Sequence, residues 1–173
     1  MRAPIVIASA LLLPALCAFA QSPDEERDSL SGLDGVMILV ERLHTDAESI
    51  ELTREDLERE IAYRFQRAGI PALTAEERDA DDRQPYLYVN CNVLYVPDIQ
   101  LTSFSIDIEL HQNATLKDGQ ELPVLTWARS YLGIQHRDRA AAAIRSRLGE
   151  FIEEFISDYQ DVNATPNVEP KGV

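Results

Sequence analysis

Residues 101–120 read LTSFSIDIELHQNATLKDGQ, and this stretch decides the fold. Phe104, Ile106, Ile108 and Leu110 fall on one side of an extended chain, while Ser103, Ser105, Asp107, Glu109 and His111 fall on the other. A period of two with one apolar and one polar side predicts a half-buried strand in a sheet with one open face. Lys117-Asp118-Gly119-Gln120 then reads as a hairpin turn, because Asp-Gly readily takes the positive φ values of tight turns. A further strand is expected over residues 122–132. There Leu125, Trp127 and Tyr131, with Arg129 among them, alternate against Thr126, Ala128 and Ser130, and side-chain bulk puts the Trp127 side on the core.

Upstream, residues 85–96 (PYLYVNCNVLYV) repeat the pattern, with Leu87, Val89, Cys91 and Val93 on one face and Tyr86, Tyr88, Asn90 and Asn92 on the other. Residues 35–43 (GVMILVERL) form a short apolar run rich in β-branched residues, which predicts a strand buried on both faces near its middle. Between these strands, residues 52–69 carry Leu57, Ile61, Phe65 and Ala68 at helical spacing. Thr53 can cap that helix, Gly69 can close it in a left-handed conformation, and Pro71 prevents its continuation. A second helix is expected from Asp138 to about Gln160, on Ile144, Leu148, Phe151, Ile152, Phe155 and Tyr159, with Gly149 weakening it by roughly 1 kcal/mol. Residues 75–84 (AEERDADDRQ) read as a solvated connection, lacking the alternating ligands and turn glycine of a calcium loop. The order strand, helix, three-stranded meander, helix predicts an α+β two-layer sandwich. Its sheet is four-stranded and mostly antiparallel, both helices lie on one face, and the first strand runs parallel to the second through a crossover.

The ends of the chain carry a different message. Arg2, an apolar run from Ile5 to Leu16 and the small residues Ala18 and Ala20 form the pattern of a cleavable export signal over residues 1–20. The run is shorter than the roughly 20 apolar residues of a spanning helix, so no transmembrane anchor is expected after cleavage. Cys17 follows Leu16 rather than a small residue, which disfavours lipidation. Residues 21–32 read as a flexible polar leader, 33–160 as one domain and 161–173 as a disordered tail. The expected location is periplasmic or secreted.

Composition narrows the function classes. The formal charge of −14 becomes −15 once Arg2 leaves with the signal, and that repels nucleic acid and anionic membrane surfaces. Of the two cysteines only Cys91 lies outside the signal, so stability must come from packing rather than an internal disulfide, and its strand face makes it a small buried hydrophobe. The chain holds no Gly-x-Ser-x-Gly elbow, Gly-rich phosphate loop or His-Glu-x-x-His pair, and none of His44, His111 and His136 sits in a nucleophile motif. No catalytic residue and no cofactor is therefore assigned. Asp107, Glu109 and His111 share a strand face and are the one candidate metal set, the basis of an alternative reading as a small metal-dependent hydrolase. Tyr86, Tyr88, Asn90 and Asn92 are the favoured candidates for partner binding, because aromatic and amide groups on an open sheet face suit recognition at low entropic cost.

Arg67-Ala68-Gly69-Ile70-Pro71, Pro85-Tyr86-Leu87-Tyr88-Val89-Asn90, Thr126-Trp127 and the closing helix from Phe155 to Tyr159 together resemble a family of small exported bacterial proteins that brings no assigned activity. In element order the chain is also similar to the small two-layer domains of envelope-assembly factors, the amino-terminal domain of TolB and lipopolysaccharide-assembly lipoproteins. That resemblance implies a non-catalytic module with an envelope protein or lipid partner.

Overall fold

The computed structural model describes residues 22–164; the expected signal segment over 1–20 and most of the expected tail lie outside the described residues. The architecture is an α+β two-layer sandwich. Its sheet runs in the order β1 (Met37–Val40), β2 (Tyr86–Val96), β3 (Leu101–Thr115), β4 (Glu121–His136). β1 lies parallel to β2, and the other two pairs are antiparallel. Two long helices, α2 (Arg54–Ala68) and α4 (Arg137–Asn163), pack against the core side; α1 (Pro23–Asp28) and α3 (Ala75–Asp79) are short.

The alternation read in residues 101–120 and 85–96 is the alternation of burial. Leu87, Val89, Cys91 and Val93 and their β3 partners Leu110, Ile108, Ile106 and Phe104 all point into the core. From the helix layer Phe65 and Phe155 stack with centroids 5.6 Å apart, and Trp127 meets Phe155 edge-on at 5.2 Å. Thr53 caps α2 by accepting from the Asp56 amide, and Gly69 ends it at φ +75°. Burial pushes the Cys91 thiol up to about 12, which leaves it un-ionised and unreactive at neutral pH.

Several expectations need correction. Within the expected flexible leader over 21–32, the described residues 22–32 are ordered and packed. Ser22 and Glu25 form a reciprocal capping box that starts α1, and Leu30 is fully buried, so the packed chain begins well before Leu33. At the other end α4 runs on to Asn163, past the expected tail boundary, because its last turn has partners to hold. Tyr159 donates to the Leu33 carbonyl at 2.5 Å, and the Asn163 amide group bonds both the Gly32 N–H and the Leu30 carbonyl. Part of the connection at 75–84 is helical for the same reason as α1: Thr74 and Glu77 form a second capping box. β1 is shorter than residues 35–43 and is not buried on both faces, since Leu39 stands on the open side.

β4 departs most from its reading. A bulge between Leu110 and His111 sets Trp127 opposite Leu110 but Leu125 opposite His111, so Leu125 turns to the open face while Trp127, Arg129 and Tyr131 stay on the core side, Trp127 alone of them fully buried. Gly149 also gains a reason. A Cβ there would stand 2.7 Å from the Arg64 Nη2, and the guanidinium that occupies this space pairs with Glu60 and Glu153 across α2 and α4.

Candidate functional site

The open face of the sheet is built from the residues that alternate against the core. Across β2, β3 and β4 they align in rows: Asn90, Asp107 and Ser130; Asn92, Ser105 and Leu132; Leu94, Ser103 and Ile134. No described helix of the sandwich covers them, because α2 and α4 both lie on the other side.

One end of this face is aromatic. The Tyr86 ring lies flat on His111, with centroids 4.9 Å apart and 9° between the planes, and Tyr88 meets the same imidazole edge-on at 6.3 Å. His111 Nε2 is 2.8 Å from Glu109 Oε2, and the Arg78 guanidinium stands 5.9 Å from the Tyr86 ring. The cluster is thus held from β2, β3 and α3 at once. Tyr88 donates its hydroxyl to Glu41 Oε2 at 2.7 Å, and that bond, with burial and the nearby carboxylates, pushes its pKa up to about 12 from an ordinary value near 10.

Because the folded pKa of Tyr88 lies above the unfolded one, only the unfolded chain ionises there between about pH 10 and 12. Its stabilising contribution is intact below pH 10 and is lost as the pH rises through 12. Melting temperatures followed across this window should therefore fall more steeply for the wild type than for Tyr88→Phe. Equal slopes would show that this hydroxyl is not coupled to folding.

The other end is apolar. Leu94 is 59 % exposed, Leu132 74 % and Ile134 64 %, with Val96 beside them. These are large side chains left in water on a sheet whose opposite face buries a complete core, and contiguous exposed apolar surface of this kind marks interaction sites. Sequence reasoning passed over them, although a signal was present: Leu94 and Val96 continue the polar face of β2, and Leu132 and Ile134 alternate against Tyr131.

Of the partner-binding candidates, Tyr86, Tyr88, Asn90 and Asn92 do share the open face, and the tyrosines are half-buried and ordered by His111 and Glu41. The metal set is not brought together. Asp107 accepts from the Ser130 hydroxyl at 2.6 Å while Glu109 engages His111, and among the described residues no three His, Cys, Asp or Glu side chains are grouped to hold an ion. Strand pitch explains this, because same-face neighbours two apart are about 6 to 7 Å from Cα to Cα.

A groove of about 840 Å³ lies elsewhere, between α2 and α4, lined by Asp56, Arg59, Glu60, Arg64, Arg145 and Glu153 among others. Three of its four arginines are taken up by its own carboxylates, Arg59 and Arg145 by Asp56 and Arg64 by Glu60 and Glu153, while Arg67 stands 5.8 Å from the Tyr63 ring. Among the described residues no helix is long and apolar enough to cross a membrane. No family model matches the chain, and no curated protein matches it.

Proposed function

We propose that this chain is an exported, non-catalytic binding or assembly module of the bacterial cell envelope, which holds a protein partner on the open face of its sheet. The observation that carries the reading is the pairing on one face of an ordered Tyr86–Tyr88–His111 cluster with exposed Leu94, Leu132 and Ile134. Aromatic anchors beside apolar contacts in a polar surround are the composition of protein interfaces. Export is supported by the pattern of residues 1–20, and the element order supports the envelope-assembly comparison. A protein suits this face better than an acyl chain, since the space between sheet and helices is filled by core side chains and the α2–α4 groove is lined with charge.

A photo-crosslinking residue at Asn92, compared with one at half-buried Glu58 on the helix layer, tests the reading in intact cells. Asn92 should capture a discrete envelope protein and Glu58 should not. Tyr86→Ser with Tyr88→Ser should lower that capture on the order of tenfold while leaving the fold intact. Capture that is equal from both positions, or indifferent to the tyrosines, would overturn it.

A further inference from the structure

β4 is the outer strand of the sheet, and its two halves are treated differently. Near its start the outer edge is closed by the end of α1: the Ser29 hydroxyl donates to the Thr126 carbonyl, and Arg129 reaches Glu26. The Ala128 carbonyl also faces outward, accepting from the Arg129 guanidinium, whereas the Arg137 N–H turns inward to Gln100. Strand alternation then directs the N–H and C=O groups of Ser130, Leu132 and Ile134 to the outside. Natural edges are usually blunted by charge, proline or a covering element. Residues 130–135 (SYLGIQ) carry neither charge nor proline.

We infer that a second copy of this chain pairs with β4 along residues 130–136, antiparallel about a two-fold axis at Gly133, so that two sheets become one of eight strands. In this register Leu132 of each copy stands opposite Ile134 of the other on the open face, and no like charges oppose within residues 130–136; just outside them Arg129 of one copy comes beside Arg137 of the other, each with contacts of its own, Arg129 on Glu26 and Glu154 and Arg137 on the Ser49 carbonyl.

The flanking helix fits the same axis. α4 runs back along β4: Arg147 lies over Tyr131, Glu154 bonds Arg129, and Asp158 bonds Trp127. The two-fold brings position 129 of one copy beside position 137 of the other, so Glu154 comes level with the start of the second α4. There Arg139 has no carboxylate partner among the described residues, while Glu26, Glu154 and Asp158 outnumber the single Arg129 that joins them. α4 packs on both β3 and β4, which places the two helices about 10 to 15 Å apart across the seam, within reach of arginine and glutamate side chains. α1 does not obstruct, because it covers the edge at Thr126, outside the paired stretch.

Sedimentation equilibrium of protein expressed from the full chain, read together with amide hydrogen exchange, tests this. The wild type should be a dimer at micromolar concentration, with exchange at Leu132 and Ile134 slowed in proportion to the dimer fraction. Leu132→Lys with Ile134→Lys, at positions already in water, should yield a folded monomer whose melting temperature no longer depends on protein concentration, and Arg139→Glu should weaken association about tenfold with β4 untouched. A wild type that stays monomeric at every concentration, a dimer indifferent to both variants, or unslowed exchange at Leu132 and Ile134 would each overturn it. The partner reading is tested at Asn92 and the tyrosines, so either can fail alone.

Discussion

Trp127→Ala is expected to destabilise the fold by about 3 to 5 kcal/mol, read as a shift in the denaturant midpoint followed by circular dichroism. Trp127 is fully buried and ties α4 to its own strand. Its indole packs edge-on against Phe155, its Nε1 donates to Asp158 at 2.9 Å, and the Arg129 guanidinium lies 4.5 Å from its ring. Truncation would open a cavity at the junction of α4 and β4 and remove the platform under Arg129, which also holds Glu26 of α1 and Glu154 of α4. Trp127→Phe separates the terms. It keeps most of the buried area and loses the bond to Asp158, so it should cost about 1 to 3 kcal/mol. A Trp127→Ala cost below that of the phenylalanine variant would mean that the site collapses freely and the indole is not a keystone.

The second large effect is expected at a residue without a side chain. Gly133 sits directly opposite Phe104, and a Cβ there would lie 2.6 Å from Phe104 Cζ and 2.8 Å from Tyr131 Cε1. The Phe104 ring is buried and fills the space over the glycine, so it cannot swing into solvent as a long flexible side chain could. Gly133→Ala should therefore cost about 1 to 3 kcal/mol, against the ordinary trend in which alanine is favoured over glycine in a strand interior. In a Phe104→Ala background the larger part of the penalty should disappear, leaving only the contact with the part-exposed Tyr131 ring, a non-additivity that equilibrium unfolding of the four proteins would show. Additive costs would place the strain elsewhere.

Where periodicity and capping acted together, the sequence was legible. Residues 52–69 combined a clean apolar stripe with Thr53, Gly69 and Pro71, and β2 and β3 alternate so regularly that burial follows parity. The short helices α1 and α3 were missed because they have no apolar stripe. Their signal lay in the capping boxes Ser22 to Glu25 and Thr74 to Glu77, a local hydrogen-bond pattern in otherwise charged text. The bulge in β4 was illegible for a different reason. One additional residue reverses every later side chain, and Leu125 cannot be assigned a face until the pairing with His111 is known. The same limit applies to the open face. Tyr86 and Tyr88 could be named as its residues, but their order comes from His111 and Glu41, which are distant in sequence and brought to them by strand pairing, and from Arg78 of the short helix α3.

The bonds from Asn163 to Gly32 and Leu30, and from Tyr159 to Leu33, join segments more than 120 residues apart. In synthesis from the amino terminus these bonds cannot form until the final turn of α4 is present, so Leu30 and α1 stay without them for most of that time. Contacts of such long separation are the slow ones in folding. The bonds that fasten α1 are thus among the last to form, and the fold closes where its first described residues meet the final turn of α4.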